Sequence, residues 1–147
     1  MKLSLTHTIP ADRERVFDAL ADPKVLQCCN PGCESLVETA PDSYEATLKI
    51  GVAGLKGTYT GKAAITNKRR PDALTLGFEG KGGPGFVRGS AVINLTSEDG
   101  RTHVASEADV QVGGLIAAVG SRLIDAAARK LGADFFDQLA REITVRS

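Results

Sequence analysis

Between residues 113 and 141 the apolar side chains recur in steps of three and four: Ile116, Val119, Leu123, Ala127, Leu131, Phe135 and Leu139. That period places them on one face of an α-helix. Arg122, Asp125, Arg129, Asp134, Asp137 and Arg141 fall on the other face. The pattern predicts one long helix of roughly 40 Å at ~1.5 Å rise per residue. No helix hides such a stripe alone, so a wide surface must cover it. The preceding segments supply one, because their period is two rather than three and a half. Leu3, Leu5, His7 and Ile9 alternate with polar neighbours, and so do Ala46, Leu48 and Ile50. The same holds for Tyr59, Gly61, Ala63 and Ile65, and for Leu74, Leu76 and Phe78. Val87, Gly89, Ala91, Ile93 and Leu95 form a further run, and Val104, Ala108, Val110 and Val112 another. Such alternation predicts half-buried strands.

Punctuation between these runs sets their order. Pro10 ends the first strand, and Asp12-Arg13-Glu14 opens a short helix with Val16, Phe17 and Leu20 inward. Asp22-Pro23 restarts a second one, with a capping Asp and Pro at the first helical position. Asn30-Pro31-Gly32 is strong turn chemistry, Pro41-Asp42-Ser43 is another turn, and Asp99-Gly100 signals a hairpin. Gly51, Gly54 and Gly57 are expected to loosen the chain around Leu55. Gly80-Lys81-Gly82-Gly83-Pro84-Gly85 reads as a flexible loop ahead of Phe86. The expected fold is α+β, a curved antiparallel sheet wrapped around a long C-terminal helix, with two short helices after the first strand. Residues 1–147 form a single domain in this reading, with no linker or repeat.

Composition narrows the function. The 147 residues carry 18 basic and 18 acidic side chains, a formal net charge of zero. That balance, without a basic stripe, argues against nucleic acid as a partner. No stretch approaches the ~20 apolar residues of a spanning helix. The N-terminal residues offer no apolar signal region. Cys28, Cys29 and Cys33 form an odd cluster, which points to reduced thiols and a cytoplasmic chain. Their spacing is not that of a zinc site, and neither His7 nor His103 completes one, so no metal is expected. The glycine loop lacks the Gly-Lys-Ser/Thr ending of a phosphate cradle.

Small residues stand at inward strand positions: Gly61, Ala63, Gly89, Ala91 and Ala108. Gly120 and Gly132 interrupt the helix, each costing ~1 kcal/mol relative to Ala. Residue type alone allows either a ligand space or close helix-to-sheet packing. The loop at residues 80–86 is a gate with Phe86 as its apolar tip, or an ordinary hairpin. Lys68-Arg69-Arg70 is a contact for anionic lipid, or a solvated turn. His7 reads as a core histidine, and His103 as exposed.

Three blocks carry a family resemblance. They are Pro31-Gly32-Cys33-Glu34-Ser35-Leu36; Glu79-Gly80-Lys81-Gly82-Gly83 with Gly85-Phe86, Gly89 and Ala91; and Val112-Gly113-Gly114 with Gly120-Ser121-Arg122-Leu123-Ile124-Asp125 and Phe135-Phe136. With the order of elements, they resemble the carbon monoxide dehydrogenase G-subunit family of the START-like (SRPBCC) superfamily. Phe17 departs from the pattern, standing where Trp is common, and so does Cys29-Asn30, where a larger apolar residue is usual. Some relatives also carry a long C-terminal extension.

The resemblance implies a helix-grip fold and a non-catalytic accessory protein of molybdenum hydroxylases such as carbon monoxide dehydrogenase. It also implies a link to the membrane and to a lipophilic quinone, such as a menaquinone, held without covalent attachment. The residues expected to line the ligand space are Leu26, Cys29, Tyr59, Phe78, Val87, Ile116, Val119, Gly120, Leu123 and Ala127. Gly82, Gly83, Pro84, Gly85 and Phe86 form the gate in this reading. A typical pocket would hold ~300–1,000 Å³. Any membrane contact is expected to be peripheral, at the inner face, or borrowed from a partner. Two other functions stay open: a cyclase- or hydratase-like enzyme, for which His7 and Tyr59 are the inward candidates, and an assembly module with an incidental cavity.

Overall fold

The computed structural model describes residues 1–51 and 56–146, the last two as backbone only. The elements follow as β1 (Lys2–Ile9), α1 (Arg13–Leu20), α2 (Pro23–Cys29), β2 (Cys33–Ala40), β3 (Ser43–Ile50) and β4 (Gly57–Arg69). Then come β5 (Ala73–Gly82), β6 (Gly85–Glu98), β7 (Arg101–Gly113), α3 (Leu115–Ala118) and α4 (Ser121–Arg146). The seven strands form one sheet in the order β1-β7-β6-β5-β4-β3-β2, antiparallel throughout. The loosened stretch expected around Gly54 and Leu55 lies outside the described residues.

Local chemistry explains the element ends. Asp12 caps α1 by accepting a hydrogen bond from the Arg15 N–H at 3.0 Å, and Asp22 caps α2 by accepting from the Lys24 N–H at 2.9 Å. Asp42 and Asp99 take positive φ in strand-to-strand turns and Asn67 where the register of β4 shifts near its end, a conformation that Asp and Asn tolerate better than most residues. Ion pairs hold α1 to the turn between β4 and β5: Arg70 meets both Asp18 oxygens at 2.8 and 2.9 Å, and Arg13 meets Asp72 at 2.6 Å.

The C-terminal helix is not continuous. Gly120 takes φ +95° and separates α3 from α4. The apolar period runs on across this glycine, which is why the sequence reads as one helix. After the break Ile124 and Phe136 take the inward positions expected of Leu123 and Phe135, while Ala127 and Leu139 stay where the stripe put them. Ile124, Ala127, Phe136, Leu139 and Ile143 are buried, whereas Leu123 is 54% exposed. Gly132 marks a close approach of the two layers, since a Cβ there would lie 2.5 Å from Leu5 Cδ1. Close packing is therefore the reading that fits Gly132.

Two apolar clusters form between the layers. The larger joins α1 and α2 to one end of the sheet and to the C-terminal half of α4, through Val16, Phe17, Leu26, Tyr44, Leu95, Phe136 and Leu139 among others. The smaller gathers Tyr59, Ile116, Ile124 and Ala127 at the other end, with Val87, Val112, Val119 and Leu131 against them.

A Cβ at Gly120 would meet nothing within 4 Å, so a substitution there probes backbone strain alone. Gly120→Ala is expected to destabilise the fold by about 1–2 kcal/mol, because a left-handed conformation disfavours any Cβ. Chemical denaturation with an unchanged slope would check this, and an unchanged midpoint would refute it.

Candidate functional site

Cross-strand register lays the inward face out in rows. Ala46, Gly61, Gly80, Val87 and Val112 lie side by side from β3 to β7. The next row toward the larger cluster is Tyr44, Ala63, Phe78, Gly89 and Val110. Tyr44 and Val110 are buried, but Ala46, Gly61, Ala63, Phe78, Gly80, Val87 and Gly89 are only half-buried although they face inward. Helix α4 lies against β1, α1 and α2. Glycine and alanine have little side chain to reach across the remaining gap. The layers therefore cover this band incompletely, and its small residues and the Phe78 ring stay half-buried between the two clusters.

Two clefts lie along α4. The larger, about 690 Å³, lies between α2, the turn at residues 30–32 and α4. Gln27, Asn30, Asp134, Gln138 and Arg141 give it a polar lining. The smaller, about 460 Å³, is lined by Pro31, Gly32, Lys49, Ile50, Gly51, Lys130, Leu131 and Asp134. Ile50 and Leu131 also pack on the smaller cluster, so the smaller cleft abuts it. The turn beside it needs its glycine twice over. Gly32 takes φ +77°, and a Cβ there would run into the Lys49 carbonyl. The Lys49 N–H in turn donates to Gly32 O at 2.8 Å.

The expected lining residues come together only in part. Tyr59, Ile116 and Ala127 are buried in the smaller cluster, Val87 and Val119 pack on it, and Phe78 lies in the half-buried band. Leu26 and Cys29 instead belong to the larger cluster under α2, with Cys29 also bordering the polar cleft. Gly120 is exposed at the helix break, and Leu123 points to solvent because Ile124 takes the inward position there. Ile124, Leu131, Ile50 and Val112 were missed. A break read at Gly120-Ser121 would have found Ile124.

The expected gate is a tight hairpin. Gly82 pairs with Gly85, leaving Gly83-Pro84 as the turn, and Pro84 O accepts from the Ile116 N–H at 2.9 Å. Phe86 is no inward tip. It stands on the outward face, where its ring fills the space beside Gly113 and carries the Arg88 guanidinium 5.6 Å from its centroid. The basic turn is largely neutralised, since Lys68 pairs with Asp42 at 2.8 Å and Arg70 with Asp18.

Reactive groups are scattered. His7 is half-buried and stacked on Phe136 at 4.7 Å, as a core histidine would be. Cys28 and Cys29 place their sulfurs 3.6 Å apart, and burial pushes the Cys33 thiol up. Among the described residues no cluster of His, Cys, Asp or Glu could hold a metal. Burial raises the phenols of Tyr44 and Tyr59 above their ordinary value, so both stay neutral and keep an O–H to donate.

The sequence profile of the carbon monoxide dehydrogenase G subunit, CoxG, matches residues 6–144. A conserved protein from Geobacillus kaustophilus superposes with TM-score 0.94 at 35% identity, covering 98% of this chain and 95% of its own. A START superfamily protein from Mycobacterium smegmatis gives TM-score 0.76 at 14% identity, covering 99% of each chain. An aromatase/cyclase from Streptomyces sp. R1128 gives 0.72 at 18% identity, covering 99% and 94%. The last two similarities establish the START-like fold alone. Among curated proteins none matches.

With two tyrosines and no tryptophan, the ultraviolet titration reads these phenols directly. Tyrosinate absorbance is expected to rise at higher pH than in free tyrosine. A raised folded value means the native state holds its protons longer than the unfolded chain. Stability is thus full below about pH 10 and declines as pH climbs through the folded values. Titration coincident with free tyrosine would contradict the burial of both rings.

Proposed function

The chain belongs to the CoxG family, that of the carbon monoxide dehydrogenase G subunit, and from that premise we propose that it is a non-catalytic accessory protein carrying a lipophilic ligand. The ligand we propose is a quinone, such as a menaquinone, and the partner a carbon monoxide dehydrogenase-type molybdenum hydroxylase at the membrane. The observation that carries this reading is the half-buried band of Gly61, Ala63, Phe78, Gly80 and Gly89 between two apolar clusters. An apolar space held open by small residues favours a greasy, planar guest over a charged one.

Binding of such a guest rests on burial. Each methylene removed from water contributes ~0.8 kcal/mol, so one prenyl unit offers several kcal/mol. The ring and first units enter through the cleft at Ile50 and Leu131, while a long tail stays outside, in a groove, the bilayer or the partner. Acid–base catalysis needs a proton donor and acceptor within hydrogen-bond reach of one substrate atom. The proposed space is floored by glycine, alanine and phenylalanine, and Tyr59 beside it keeps its proton because burial disfavours the phenolate. That environment suits holding a ligand rather than transforming it.

Organic extraction of the purified protein, followed by mass spectrometry, is expected to release a lipophilic quinone. Ala63→Phe, which fills the floor of that space, is expected to cut ligand recovery at least tenfold while leaving the circular dichroism spectrum unchanged. An extract without quinone, from a protein that also fails to take up an added short-chain menaquinone, would refute the proposal.

A further inference from the structure

One pole of the molecule combines exposed apolar side chains with an excess of unpaired positive charge. It is built from α3, the first turn of α4, the β5–β6 hairpin and the facing ends of β3 and β4. These parts are in contact: Ile116 N–H donates to Pro84 O, a Cβ at Gly57 would lie 2.8 Å from Pro84, and one at Gly114 would lie 2.8 Å from Gly85 Cα. Leu115 is 73% exposed and Leu123 54% exposed, and Ala117 and Ala118 between them are exposed as well. Burial of Ile116 on the inner side of α3 fixes this orientation, because it turns the neighbouring positions outward.

Basic charges outnumber acidic ones at this pole, where five basic residues stand against Glu79, the cross-strand neighbour of Arg88. Residues 80–88 contain Lys81 and Arg88 and no acid, residues 110–124 contain Arg122 and no acid, and Lys49 and Lys56 stand at the ends of the facing strands. All five are exposed. Among the described residues none of the five forms an ion pair, whereas Arg13, Lys68, Arg70, Arg129 and Lys130 elsewhere are each matched to an acid. In a chain of zero net charge, this leaves an electropositive cap around two projecting leucines.

We propose that this pole docks on an anionic lipid bilayer, with Leu115 and Leu123 entering the headgroup boundary and Lys49, Lys56, Lys81, Arg88 and Arg122 facing the lipid charge. Shallow apolar insertion ringed by basic side chains is the physics of an interfacial anchor. The apolar part of this pole is confined to a four-residue helix and one adjoining turn, a shallow wedge suited to the headgroup boundary rather than the broad apolar centre of a protein interface. Among the described residues no helix is long and apolar enough to cross a membrane, so the contact is made at the surface. The inference deepens the membrane part of the reading above and is independent of the quinone.

Vesicle co-sedimentation of the full chain tests it, using equal parts phosphatidylserine and phosphatidylcholine against phosphatidylcholine alone. The protein is expected to sediment with the anionic vesicles at low salt, and binding should weaken as salt rises. Leu115→Ser combined with Leu123→Ser should reduce that binding roughly tenfold, and Lys81→Glu combined with Arg122→Glu should do the same. Both pairs lie on the surface, so thermal stability should hold. Val92→Ser, exposed on another part of the sheet, should bind as the parent does. Equal binding to the two lipid compositions, no binding to either, or full binding by the leucine pair would overturn the proposal. Loss of quinone on extraction with vesicle binding intact would instead strike the carrier reading and leave the docking pole standing.

Discussion

Seven strands at about 4.8 Å spacing make a surface roughly 30 Å wide, and a helix with its side chains is only about 10 Å across. One helix cannot cover such a face, and the rest of the structure follows from how that mismatch is met. At one end α1 and α2 fill the space beside α4, and the larger apolar cluster closes there with Val16, Val104 and Leu139 fully buried. At the other end only α3 and the start of α4 are present. The smaller cluster there rests on Tyr59, Ile116, Ile124 and Ala127. The half-buried band lies between those two sets of helices. Its place is thus set by which connection carries helices: the long one between β1 and β2, which passes over one end of the sheet only.

Strand alternation was legible in the sequence down to the face each residue takes. A side-chain period of two leaves no ambiguity once one position is known to be buried. Each strand from β3 to β7 turned the expected residues inward. The two short helices were legible for another reason, because Asp12 and Asp22 cap them with their own side chains. The long helix was legible too, over Ser121–Arg146, but its start was not. Its apolar spacing passes through Gly120 without a gap, and nothing in a periodicity count registers a change in φ. One position then separates Leu123, which faces water, from Ile124, which is buried.

The glycine loop failed differently. Glycine density suggests freedom, yet Gly82, Gly85 and Gly114 serve here to let backbones approach and Gly113 makes room for the Phe86 ring, as the atoms a Cβ would meet at each position make plain. The hairpin is held by that approach and by the Pro84–Ile116 hydrogen bond. A segment rich in glycine is loose only when nothing lies against it, and that information sits in residues far along the chain.

The same logic separates the small residues that keep the inward face low from those that draw the layers together. Gly132 and Gly61 look alike in sequence, each an interruption of an apolar face. Gly132 sits on α4 with Leu5 directly against it, so the missing side chain is occupied by a neighbour, and helix and β1 come together. Gly61 sits on β4 between Ala46 and Gly80, so its row offers little bulk until Val87. A Cβ at Gly61 would meet the Glu79 carbonyl and one at Gly89 the Asp109 carbonyl, so those two glycines admit a neighbouring strand, whereas one at Gly80 would have nothing nearer than 3.9 Å. A lone glycine against a leucine brings helix and sheet together. Glycines and alanines adjoining across strands, with Phe78 one row away, keep the inward face of this band low and only half-buried. Composition cannot distinguish the two cases, whereas register does, because it alone says which small residue stands beside which.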